Sequence, residues 1–447
     1  MDRLSIRLND RKRFVYLAAL AGVWFLLLGG ANALAQTVWC VPNTSISTLC
    51  TSGYGEPRIQ TAVNDASSGD IVLVGPGYYH ETVEVDTQGL IILGAQAGHD
   101  AREGRHNVSR ESVVDASAGA TGSGAGAGFD VETKDVVIDG FTIQGATTAN
   151  TYTAGIYVDE SDVQILNNII QNNAVGVFLY YGNSTIQYNL FKTNNYGTPE
   201  TEEPYLPGPG FGVAGYDDSG ASITDNAFTG NKAAAVWFDT YDALSITNNT
   251  SEKDGSFLVL YETEYVTFSR NQGRDFGANG RLAVWGDAKA EAAIYLFSTY
   301  PTYNDRIFIN DNDLEGGKST GYNGIDFSIL GGTYYNCEYC TVNNNKICNF
   351  AGNGIVAEGP GSSPTLFYSI ISRNLVRDNG KDGILMENAS DNQYNYLFEN
   401  KAQGNGVKDC EDDSSDSFTA GTANIWSFNF GPVSLPAGIC SSTGLWH

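Results

Sequence analysis

The sequence predicts an all-β solenoid of stacked parallel strands, and three observations carry that reading. The first is a recurring pattern: an apolar residue, two variable residues, then Asn. It appears as Ile165…Asn168, Ile186…Asn189, Ile223…Asn226, Ile246…Asn249 and Phe268…Asn271, then as Ile309…Asn312, Val342…Asn345, Ile371…Asn374 and Leu397…Asn400. The second is a short alternating segment ahead of each Asn, often opened by Gly: Gly155-Ile156-Tyr157-Val158-Asp159, Gly176-Val177-Phe178-Leu179-Tyr180, then Gly324-Ile325-Asp326, Gly354-Ile355-Val356 and Gly383-Ile384-Leu385. Period-two alternation is a strand signal, not a helix signal. The third is the repeat length: Asn168 to Asn189 is 21 residues and Asn249 to Asn271 is 22. A unit of that size, built from short strands and tight turns, is one coil of a solenoid.

Stacking such coils joins equivalent strands in parallel about 4.8 Å apart. Ile156, Val177, Val213, Val236, Ile325, Ile355 and Ile384 then form an inner aliphatic stack. The repeated Asn form an inner row whose amides satisfy backbone groups that burial would leave unpaired.

The N-terminus reads as a separate element. Arg3, Arg7, Arg11, Lys12 and Arg13 precede an apolar run from Phe14 to Gly30, and Ala33-Leu34-Ala35 supplies a small-x-small cleavage site. This predicts a secretory signal peptide over residues 1–35. The run is near the lower spanning limit of a membrane anchor, and the cleavage site favours removal. No later apolar run is long enough to span a bilayer. The expected location is therefore secreted, periplasmic or extracellular.

All seven Cys follow residue 35, and export makes disulfides expected. Cys40–Cys50 and Cys410–Cys440 are predicted to staple the two ends. Cys337, Cys340 and Cys348 leave one thiol over, and their pairing stays open. Zinc takes four ligands as a rule, which three Cys without a nearby His do not supply.

One stretch carries a family likeness: Ile59-Gln60-Thr61-Ala62-Val63, Gly69-Asp70-Ile71-Val72-Leu73-Val74 and Pro76-Gly77-Tyr78-Tyr79. With the repeats, it resembles the right-handed parallel β-helix proteins of the pectin-lyase-like superfamily, over roughly residues 56–405. The resemblance implies a single-stranded right-handed parallel β-helix with a short N-terminal capping helix over the open end. Pro57 suits a first helical position, Ile59, Ala62, Val63 and Ala66 share one face, and Gly69 ends the helix. The expected organisation is a cap over 36–70, the β-helix over 71–405 and a disulfide-stapled cap over 406–447. The resemblance supplies no activity. The paired-Asp and Gly-His-Gly arrangement of polygalacturonases is absent, as is the Asp-Pro-His-Glu motif of mannuronan epimerases. No His lies between His106 and His447, which excludes a central catalytic His.

Composition narrows the partners. Charged residues are 17% of the chain and the net charge is −26. A chain that acidic is repelled by phosphate backbones and anionic membranes. Alternation lists the outward residues of the Gly-opened strand. One row reads Asp159, Tyr180, Tyr216, Asp239, Tyr261, Trp285, Ser328, Glu358 and Glu387, and the row before it includes Trp237. No Gly anchors the register over 255–285. Asp217, Asp218, Asp242, Glu262, Glu264 and Asp287 lie beside these rows.

An aromatic and acidic stripe suits sugars. Rings stack on pyranose faces, and carboxylates accept hydroxyl hydrogen bonds or hold Ca²⁺. The competing reading is a plain exterior, with aromatics stacked for stability and acids for solubility. Insertions at 195–210, 287–306 and 329–340 could wall the stripe.

The predicted platform is Tyr180, Tyr216, Trp237, Tyr261 and Trp285. The predicted acid and base or nucleophile are Asp217, Asp239 and Glu262, spaced one coil apart. Elimination from a uronate would instead need Ca²⁺ on the same acids and a Lys or Arg base. The expected function is binding or processing of an extracellular polysaccharide by a single copy of the chain. The alternative is a non-catalytic surface or structural solenoid.

Overall fold

The computed structural model describes residues 36–42, 50, 58–105, 107–118, 120–122, 126–148, 153–196, 208–284, 289–298, 303–317, 322–329, 336–358, 365–387 and 392–443. The predicted signal peptide lies outside them. The chain winds into coils of three strands, and every strand pairs in parallel with its equivalents one coil away. In one coil these are Ala154–Asp159 on the first face, Val163–Leu166 on the second and Ile169–Gln171 on the third. The third face forms a 12-stranded sheet, one strand per coil.

The inner stack follows the alternation. Ile156, Val177, Val213, Val236, Leu258, Ile294, Ile325, Ile355 and Ile384 pair in register along the first face, and all are buried. Burying a continuous aliphatic column is what makes each coil hold its neighbours.

The Asn row turns the second face into the third. The residue before each Asn is left-handed: Tyr188 has φ +59°, Asp225 +54° and Asn248 +61°. Such a turn buries the backbone N–H of the following Asn away from the strand ladder. Asn226 shows the solution. Its N–H donates to Asn249 Oδ1 at 2.9 Å, and its side-chain amide donates to the Ile186 carbonyl at 2.8 Å. A second ladder, absent from the sequence expectation, lines the far end of the third face through Asn173, Asn194 and Asn231. It continues into Asp254, whose carboxylate takes the amide's place.

A helix over Ile59–Asp65 buries Ile59, Ala62 and Val63. Its N-terminal residue Arg58 offers no side-chain cap. The Glu81 carboxylate, on a first-face strand, instead accepts from the Ile59 and Gln60 N–H groups at 3.0 and 3.2 Å. Charge at that end also suits the helix dipole. Cys40–Cys50 and Cys410–Cys440 are disulfides as expected, Cys337 pairs with Cys340, and Cys348 is free and buried. Among the described residues no helix is long and apolar enough to cross a membrane.

Candidate functional site

The first face carries the candidate site. Tyr180, Tyr216 and Asp239 stand in register on successive coils, followed by Tyr261. The residue after this row turns the chain off the face. Tyr181, Asp217 and Glu262 hold that position with φ +57°, +59° and +52°. The turn points Asp217 and Glu262 alongside Asp239 from the coil before and the coil after. Three carboxylates expected from one-coil spacing are thereby brought together.

Their proximity is visible in Asp239. Burial, then the Glu262 charge, then the Asp217 charge push its carboxyl up to about 8. All three disfavour the anion, so Asp239 holds its proton at neutral pH. Asp217 is fixed from the other side, accepting the Tyr181 hydroxyl at 2.8 Å. The exposed Tyr241 ring borders the same group, and Glu262 and Asp239 raise its hydroxyl after burial does.

The aromatic platform divides. Tyr180 and Tyr216 stack at 6.1 Å with 6° between their planes and stay partly open to solvent. Tyr261 is covered and stacks on Phe297 at 4.9 Å. Trp237 points outward as alternation required, yet it is only 1% exposed and packs against Phe211 at 5.9 Å. It offers no open face to a ligand. The cause is a second apolar layer outside the sheet. Leu282, Val284 and Ala290, from an insertion, pack on the outward aromatics with Tyr157, Phe178, Tyr295 and Phe297. That insertion also moves the register. The strand on its coil is Ala292–Ser298, so Phe297 fills the place expected for Trp285, and Tyr295 stands next to Val259 in the row of Trp237. Trp285 and Asp287 lie outside the described residues.

Comparisons with known proteins agree with this architecture. Residues 95–203 match the family described as right handed beta helix region. The catalytic unit of the thermostable GH87 alpha-1,3-glucanase from Streptomyces thermodiastaticus strain HF3-3 superposes with a TM-score of 0.52 at 13% identity, covering 92% of this chain and 68% of that one. DFA-IIIase from Arthrobacter chlorophenolicus A6, without its lid and in complex with GF2, gives 0.50 at 14% identity, covering 88% and 98%. No curated protein matches this chain in sequence. The chain is a right-handed parallel β-helix of the pectin-lyase-like fold. Identities this low establish the fold and leave the chemistry to the residues.

The β-helix carries a second acidic group farther along the same face. Asp326 is fully buried and accepts from Asn323 Nδ2 at 2.8 Å and Ser328 Oγ at 2.6 Å. Burial pushes both Asp326 and Glu358 up. Glu291 and Glu387 add to both, and Asp326 adds to Glu358. The signal was present in the sequence, since Asp326, Glu358 and Glu387 follow Gly324, Gly354 and Gly383 at two and four residues. Glu291 came from an insertion that no repeat could align.

Among the described residues no group of three or more His, Cys, Asp or Glu is arranged to hold a metal ion.

Proposed function

We propose that this β-helix is an exported enzyme that binds and hydrolyses a neutral extracellular polysaccharide on its first face. The observation that carries this reading is Asp239, held protonated to about pH 8 between Asp217 and Glu262 on the flanking coils. A carboxylic acid that keeps its proton at neutral pH can deliver it to a glycosidic oxygen. Coils are about 5 Å apart, the separation that retaining glycosidases use between acid and nucleophile. In this reading Asp239 protonates the leaving oxygen and Glu262 attacks the anomeric carbon. Water then releases the sugar, with Asp239 taking its proton back. Tyr181 holds Asp217, and burial with the Glu262 and Asp217 charges keeps Asp239 in its acid form. Tyr180 and Tyr216 provide the open stacking surface. The glucanase that shares this fold acts on a glycan, which accords with the reading.

One observation favours a second reading. Trp237, Tyr261, Tyr295 and Phe297 are buried by their own packing, as in a structural solenoid without turnover. A glycan panel separates the two. Turnover by the parent that Asp239→Asn abolishes supports the enzyme. Turnover unchanged in Asp239→Asn, or none from the parent on any glycan, removes it.

A further inference from the structure

The third face holds a groove that neither the core nor the carboxylate site uses. Its floor runs across five coils, through Leu190, Ala227, Thr250, Gln272 and Asp313 in register. At about 4.8 Å per coil the floor is about 19 Å long. The groove encloses about 550 Å³, inside the usual range of ligand sites. Short side chains at Ala227 and Thr250 lower the floor. A second row lies two residues on along each strand, through Thr229, Glu252, Arg274 and Glu315.

The chemistry of the lining selects a ligand. Its charges are already balanced. Glu252 pairs with Arg274 and with Lys253, each at 2.9 Å, and Asp313 pairs with Lys346 at 2.9 Å. The Thr250 hydroxyl and the Gln272 amide are exposed. Neither forms a side-chain hydrogen bond among the described residues. Each both donates and accepts, as a sugar hydroxyl does. An apolar ligand would strip these groups of water without replacing it, and an anionic one would find Arg274 and Lys346 already paired and meet Glu315, which forms no ion pair among the described residues. We propose that this groove is a second, non-catalytic glycan site that holds a neutral oligosaccharide along the solenoid axis. It rests on the reading above for its ligand class and shares no residue with that site.

The test is equilibrium binding of end-labelled hexasaccharides to the full chain. Maltohexaose, laminarihexaose and cellohexaose are the neutral probes, and hexagalacturonate is the charged one. At least one neutral probe is expected to bind. Thr250→Arg, which fills the groove, should weaken that binding about tenfold or more. Gln272→Ala should weaken it about threefold, and its exposed position keeps the test valid if Thr250→Arg lowers the melting temperature. The loss of binding in the two groove variants should be the same within about twofold when each is made in the Asp239→Asn background, where the first-face site is altered identically in variant and control. The proposal is overturned if no neutral probe binds, if only hexagalacturonate binds, or if both groove variants bind as the parent does. Absent turnover with groove binding intact would sink the enzyme reading alone.

Discussion

Asn231 gives both its backbone N–H and its side-chain amide to one oxygen of Asp254, at 2.7 and 2.9 Å. The other Asp254 oxygen accepts the Ser251 hydroxyl at 2.6 Å. A ladder otherwise built of amides thus ends in a fully buried acid. Burial pushes that acid up to about 7, against the hydrogen bonds that lower it.

The first prediction follows from the sign of that shift. The folded pKa lies above the unfolded one, so the folded state holds more protons between them. Stability from this group is greatest below about pH 4 and falls as pH rises to about 7. Asp254→Asn keeps an oxygen for both Asn231 bonds and removes the charge. It should gain on the order of 2–4 kcal/mol at pH 8 and little at pH 4. Urea unfolding at both pH values checks this, and an identical pH dependence in variant and parent would refute it.

Asp239 obeys the same sign, with a functional consequence. If it is the general acid, activity is present below pH 8 and declines as pH rises through about 8. Asp239→Asn should lower turnover by roughly 10²–10⁴-fold without reducing stability at pH 8. A pH–rate profile with no alkaline limb near that value would assign the proton to another group.

Asn226 tests the first ladder. It is fully buried, and its amide bridges the Ile186 carbonyl, the Thr224 carbonyl and Asn249. Asn226→Ala leaves those partners unpaired and should cost about 1–3 kcal/mol. A melting curve unchanged from the parent would show that the row is not needed for stability.

Trp237 and Tyr216 should part company. The Trp237 indole N–H is buried without a hydrogen-bond partner among the described residues, so Trp237→Phe removes an unsatisfied donor and should be neutral or stabilising by about 1 kcal/mol. Trp237→Ala opens a cavity and should cost about 3–5 kcal/mol. Neither removes an open ring face. Tyr216→Ala should instead weaken glycan binding with a small effect on the melting temperature. Loss of binding in Trp237→Phe with Tyr216→Ala unaffected would reverse this assignment.

The solenoid was legible because its determinants are local and repeated. Alternation assigns inside and outside within a strand, and the left-handed residue before each Asn fixes the turn within four residues. Those signals need no knowledge of the neighbouring coil, and they also aligned Asp217, Asp239 and Glu262. The second ladder was equally readable at Asn173, Asn194 and Asn231, but Asp254 interrupts it.

Exposure was decided elsewhere. Alternation says that Trp237 points away from the core, but not that Leu282 and Val284 return to cover it. An insertion's path has no period to read, and it is set by which apolar surface lies open on coils distant in sequence. The same insertion placed Phe297 where Trp285 was expected. The third-face groove likewise appears only when coils are stacked, because the depth above Ala227 and Thr250 depends on what Leu190 and Gln272 present on either side. Strand direction is a property of adjacent residues; solvent access and shape belong to residues that only folding brings together.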